Sequence, residues 1–195
     1  KDCRFIDGTL RPHCRPIGDV AQAATFSGYR RRHVIKFQGV VPPNGPIDDL
    51  WGPTAESRHG DYLMRRSRLD DRLRDAQEGN PTHYYAYGDT AYAVMSHVKR
   101  GFKQSAAGLQ PESIAGKGRS ECALTLGGKV CNLWGFLYRR RNLKITQNPV
   151  GDIHLVGVFL TNIRTRNHGS QVTEYCCEFP PSVEAYFRLY GHRLG

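Results

Sequence analysis

Tyr84-Tyr85-Ala86-Tyr87-Gly88-Asp89-Thr90-Ala91-Tyr92 runs three aromatics into one carboxylate, followed at once by small residues. Tyr84 to Tyr87 predicts a buried strand, because aromatics suit a pleated, covered surface. Gly88 loosens the backbone where that strand should end. Asp89 then falls at the strand's carboxyl end, the edge of an open α/β sheet where ligands gather. An acid there is a metal ligand, a general base, or the N-cap of a following helix. Taken alone, the cap is the better reading. The matter turns on whether another acid meets it.

Working outward, the same setting recurs at the start of the chain. Cys3 to Asp7 is a short apolar strand that ends in an acid and runs into Gly8-Thr9. Arg11-Pro12-His13 and Arg15-Pro16 read as loop, and Asp19 to Gly28 as a connector. His33 to Val40 alternates as a strand should. Pro42 to Pro46 turns the chain, and residues 47–52 return as the partner of an antiparallel hairpin. Residues 56–77 predict an amphipathic helix that turns Tyr62, Met64, Leu69 and Leu73 inward. Gly79-Asn80-Pro81 ends it. Residues 91–102 read as a short helix or turns, and 104–117 show no periodicity. A buried helix is expected over 119–137, and a basic loop over 139–150. Residues 152–164 predict a helix with Ile153, Val156, Gly157, Leu160 and Ile163 on one core-facing stripe. Residues 169–181 read as loop, and 182–187 as a short helix capped by Ser182. Trp51 and Trp134 are expected in the core.

The order of strand, hairpin, helix, strand and helices predicts an α/β domain. Its mixed sheet carries helices on both faces and brings the ends of the first and fourth strands together. Asp7 and Asp89 are the acids that end an apolar strand before Gly or Thr. Two close carboxylates repel, so one protonates or a cation binds between them. Hard oxygen donors favour Mg2+ or Mn2+. Such ions activate water and stabilise the leaving oxygen in phosphodiester cleavage.

Composition agrees with a polyanionic partner. The 195 residues carry a net charge of +10, with clusters at Arg30-Arg31-Arg32 and Arg139-Arg140-Arg141. A surplus of that size favours nucleic acid. Hydrophobic content is 39%, and no apolar run reaches the length of a membrane span. Six cysteines form no CxxC pair and no zinc-finger spacing with histidine. They read as reduced thiols of an intracellular protein. The opening residues, without Met or a signal-peptide profile, read as the interior of a longer protein entered near its first strand.

These pieces, in series, resemble the endonuclease domain of PIF/Harbinger-type transposases of the DDE superfamily. The resemblance rests on Phe5-Ile6-Asp7-Gly8-Thr9, Tyr29 to Val40, Leu50-Trp51-Gly52-Pro53 and Ser57-Arg58-His59. It continues through Tyr87 to Tyr92, Asn132 to Leu137 and Leu160-Thr161-Asn162. It implies an RNase H-like fold, a mixed five-stranded sheet with helices on both faces. The domain would span residues 1–169, truncated at its amino terminus, with 170–195 as a tail holding a short helix.

The resemblance further implies two Asp and one Glu that hold divalent metal and cut DNA at transposon ends. Asp7 and Asp89 match the first two acids, and His59 matches the His of an Arg-His-Asp motif. Two departures stand out. Gly60 occupies the place of that motif's Asp, and Leu124 the place of the catalytic Glu; Glu121 is the nearest acid. The expected set is therefore Asp7, Asp89 and Glu121 on Mg2+ or Mn2+. The expected DNA contacts are Arg30, Arg31, Arg32, His59, Arg139, Arg140 and Arg141. Expected partners are transposon-end and target DNA and a separate DNA-binding segment or protein, in the nucleus and with no membrane. Two functions stay open: a metal-dependent endonuclease capable of strand transfer, and a decayed, domesticated module that binds DNA or protein without cutting.

Overall fold

The computed structural model describes residues 2–55, 60–79, 81, 83–88, 92, 95–100, 129–138, 143–145 and 148–191. Strand β1 (Asp2–Pro12) lies at the centre of a six-stranded mixed sheet. It pairs antiparallel with β3 (Arg32–Val41), which pairs antiparallel with β4 (Asp49–Ala55). On its other side β1 runs parallel to β5 (Tyr84–Gly88), and β5 runs parallel to β6 (Val98–Arg100). The sixth strand, β2 (Phe26–Ser27), is a two-residue ribbon at the start of β3. The expected hairpin and the aromatic strand are both present. The expected count of five is exceeded by that ribbon.

The pleat sorts the core. Successive side chains of a strand point to opposite faces. Phe5 accordingly joins Val41, Ile47, Val130, Leu137, Val158 and Val172 on one face. Ile6 joins Val40, Met64, Leu69, Leu73, Ala86, Tyr92 and Val98 on the other. The second face is covered by α2 (Gly60–Ser67) and α3 (Leu69–Gln77). The first is covered by α4 (Val130–Leu133), α5 (Gly135–Tyr138), α6 (Val150–His168) and α7 (Gln171–Cys176). A last helix, α8 (Val183–Gly191), touches α6 through Phe187 and Phe159. The amide of Ala185 donates to Ser182 Oγ at 3.2 Å, the N-terminal bond expected of a Ser cap.

Several local expectations are corrected. β1 continues to Pro12 where loop was expected after Asp7, because Thr9 and Arg11 find buried polar settings on its inner face. The expected connector holds α1 (Asp19–Thr25) and β2. The single helix over 56–77 is two helices, broken where Arg68 adopts a left-handed backbone with φ 52°. Residues 91–102 include a strand, β6, and residues 169–181 include α7 with a reciprocal Ser170–Thr173 capping box. Trp51 and Trp134 are half-buried, and Trp134 donates to Thr161 Oγ1 at 2.9 Å.

The largest correction concerns α6. Its buried positions are Val150, His154, Gly157, Val158, Thr161, Asn162 and Thr165. Val156 is 51% exposed, as are Leu155 and Phe159 in large part. The buried stripe is turned from the expected one because polar groups on it have specific partners. Asn162 accepts from the Ile47 amide at 2.7 Å and donates to its carbonyl at 2.9 Å. Gly157 is required there: a Cβ would collide with the Leu137 side chain on α5.

Candidate active site

Asp7 sits midway along β1, half-buried, on the face that also carries Phe5, Thr9 and Arg11. Across the antiparallel pair its partner is Gly39, so β3 sets no side chain directly beside the carboxylate. On the parallel side, Phe5 is level with Tyr87, the penultimate residue of β5. Both of these aromatics pack into the same face of the core.

A glycine stands next to Asp7 and another next to Asp89, and one tyrosine explains both. A Cβ on Gly88 would lie 2.8 Å from Ile6 Cγ2 and 2.9 Å from Tyr92 Cδ2. A Cβ on Gly8 would lie 3.3 Å from the Tyr92 hydroxyl oxygen. Tyr92 is buried on the α2/α3 side of the sheet. Its ring thus occupies the space that side chains at 8 and 88 would fill. The middle of β1 at Gly8 and the end of β5 at Gly88 are packed against one aromatic. The paired glycines are the sequence signal that a large side chain presses on both strands.

Further along the Asp7 face lies a buried polar group. Arg11 is 5% exposed, donates from Nη1 to Cys131 Sγ at 2.7 Å, and directs Nε to His154 Nε2 at 3.5 Å. Burial pushes the Arg11 guanidinium down, and the nearby Cys131 sulfur pulls it partly back. His154, its ring tilted against that of Phe37 with centroids 4.5 Å apart, is pushed down to about 3, first by burial and then by the Arg11 charge. It is therefore neutral, and its Nδ1 has no hydrogen-bond partner among the described residues. Burial also lowers His13, offset in part by its bond to the Cys14 carbonyl. These groups tie β1 to α4 and α6 and stiffen the strand that carries Asp7.

Of the residues singled out in the sequence, Arg30, Arg31 and Arg32 lie exposed at the turn between β2 and β3. Asp89, Glu121, His59, Arg139, Arg140 and Arg141 lie outside the described residues, as does Leu124. Gly60 opens α2. Among the described residues no three His, Cys, Asp or Glu side chains stand together as a metal group. Nor, among them, is any helix long and apolar enough to cross a membrane.

Comparison with known proteins agrees with this arrangement. No curated protein and no solved structure matches the chain. A family model described as DDE superfamily endonuclease matches residues 6–122, more than half the chain, from β1 to beyond β6. With Asp7 on the central strand of a mixed α/β sheet and a family match that runs from β1 past β6, the chain belongs to the DDE superfamily of endonucleases.

Proposed function

We propose that this domain cuts DNA phosphodiester bonds at a divalent-metal site built on Asp7 and Asp89, with Glu121 as the third acid. The observation that carries the reading is the parallel register of β1 and β5. Phe5 is level with Tyr87; Asp7 stands two residues further along β1, and Asp89 follows two residues after Tyr87 in the sequence. The strand row supports an RNase H-like reading: β4, β3 and β1 form an antiparallel meander, and β5 and β6 follow in parallel. The serial motifs support the PIF/Harbinger subtype, with transposon-end and target DNA as substrates and the nucleus as the place of action.

The donor set fits Mg2+ or Mn2+, because all three groups are hard carboxylate oxygens. Gly39, opposite Asp7, sets no side chain beside it from β3. A divalent cation, when bound, lowers the pKa of water and neutralises charge on the scissile phosphate. Asp7 and Asp89 would hold the cation between them, and Tyr92, packed against Gly8 and Gly88, would keep β1 and β5 from shifting. Arg30, Arg31, Arg32, Arg139, Arg140 and Arg141, with His59, hold the phosphate backbone. Divalent-metal-dependent nicking of supercoiled plasmid tests the reading. Wild type nicks; Asp7→Asn and Asp89→Asn do not. Equal nicking by all three would sink it.

Leu124, at the place of the family's Glu, favours a second reading: a decayed module that keeps DNA binding and has lost cleavage. Salt-sensitive DNA binding by a protein that nicks nothing, in the presence of Mn2+, is its signature. Gain of nicking in Leu124→Glu would show that the fold still positions that site.

A further inference from the structure

The excursion between β1 and β3 carries more than its arginines. Residues 15–32 hold Arg15, Arg30, Arg31 and Arg32 against a single acid, Asp19, so the segment is strongly basic. All five of these side chains are exposed. Tyr29, at the tip, is 87% exposed, and Ile17 and Val20 leading to it are 87% and 85% exposed. An exposed aromatic among arginines is what a nucleic-acid stacking surface requires, since every base offers a π-face.

The tip is held in shape. Phe26 pairs with His33 and Ser27 with Arg32. The Arg30 amide donates to Ser27 Oγ at 3.3 Å, and Arg32 Nε donates to the Arg30 carbonyl at 3.2 Å. The Arg30 guanidinium sits 5.1 Å from the Tyr29 ring centroid, the start of a stack that a base extends. Arg31 adopts φ 50°, a left-handed backbone that glycine or asparagine fits with less strain. Strain at such a position points to a role for the side chain. Asp7 pairs with Gly39, and the tip begins at the far end of the same strand pair. At ~3.4 Å per residue the separation is roughly 20 Å, the length of several nucleotides.

We infer that the β2–β3 tip is a stacking clamp for single-stranded DNA: Tyr29 stacks on an unpaired base while Arg30, Arg31 and Arg32 hold the flanking phosphates. The inference rests on the DNA substrate of the proposed function and adds the form of that DNA and the residue that reads it.

Anisotropy titrations with a labelled single-stranded oligonucleotide and its duplex, without divalent metal, test it. Tyr29→Ala weakens single-strand binding about tenfold and Tyr29→Phe by less than about twofold, as stacking predicts. Replacing Arg30, Arg31 and Arg32 by Ala flattens the log–log salt slope by about 2, from ~0.7 per phosphate contact. Arg31→Gly weakens binding while its melting temperature is no lower than wild type, which a merely structural arginine would not give. Wild-type affinity in Tyr29→Ala, no rescue by Tyr29→Phe, or binding of phosphatidylserine vesicles in place of DNA overturns the clamp. The nicking assay separates the two ideas. Nicking indifferent to Asp7→Asn, with Tyr29-dependent binding intact, removes the cleavage reading alone. Asp7-dependent nicking with Tyr29-independent binding removes the clamp alone.

Discussion

The proposed role of Asp7 depends on its neighbours as much as on its charge. It stands on a strand buried on both faces, opposite a glycine, and beside a second glycine that Tyr92 crowds. Asp7→Asn keeps the size of the side chain and removes the anion. It should lower nicking by on the order of 100-fold or more, since even partners of metal ligands cost 10–100-fold. Its melting temperature should stay close to wild type. Gly88→Ala works the other way. Its new methyl meets Ile6 and Tyr92 at under 3 Å, and overpacking of that kind costs about 1–3 kcal/mol. Calorimetry should show the loss, and nicking should fall as well because the strand end before Asp89 must move. Gly88→Ala with wild-type stability would mean that Tyr92 does not press there.

Helix α6 shows how an element is placed by polar groups as well as apolar ones. Asn162 satisfies both backbone groups of Ile47. Asn162→Leu fills similar volume but strands a buried donor and acceptor, at a cost of about 2–4 kcal/mol. Urea unfolding of the variant reads it directly. His154, about two turns earlier, sets the pH response. Its folded pKa is depressed to about 3, so the unfolded chain binds the extra proton. Stability is complete above the ordinary value near 6.5 and falls as pH drops from there toward about 3. The loss reaches ~5 kcal/mol at most, at 1.36 kcal/mol per pH unit. His154→Leu should flatten this part of the stability–pH curve. An unchanged curve would remove His154 as the cause.

At the scale of the molecule, charge governs partner choice. A net charge of +10 is spread over exposed arginines of the β2–β3 tip, α2 and α3. Some of it is spent internally: Arg72 grips Asp49 through two bonds of 2.8 Å and fastens α3 to β4. The remainder is available to the DNA phosphates of the proposed function. A footprint of six to ten phosphates would weaken binding by about 10³–10⁵-fold between 50 and 200 mM salt. Binding indifferent to salt would exclude a phosphate-led interface.

Much of this architecture was legible in the chain itself. Alternation marked β3, aromatic runs marked β5, and Gly and Pro marked the turns, because these signals are local and act within a few residues. The acids at 7 and 89 stood out because each ends an apolar run before a small residue. Other features were hidden for a physical reason: their energy comes from partners distant in sequence. Arg11 reads as loop chemistry until His154 and Cys131 are brought to it. The apolar stripe of α6 misleads until Ile47 claims Asn162. Local pattern therefore marked β3, β4 and β5 and the acids proposed as ligands, but not β2, β6 or the second half of β1. Tertiary packing alone decided that β1 lies between β3 and β5, that Tyr92 seals both glycines, and which face of α6 is buried. Sequence periodicity records that a side chain prefers to leave water; it does not record which distant group will satisfy it.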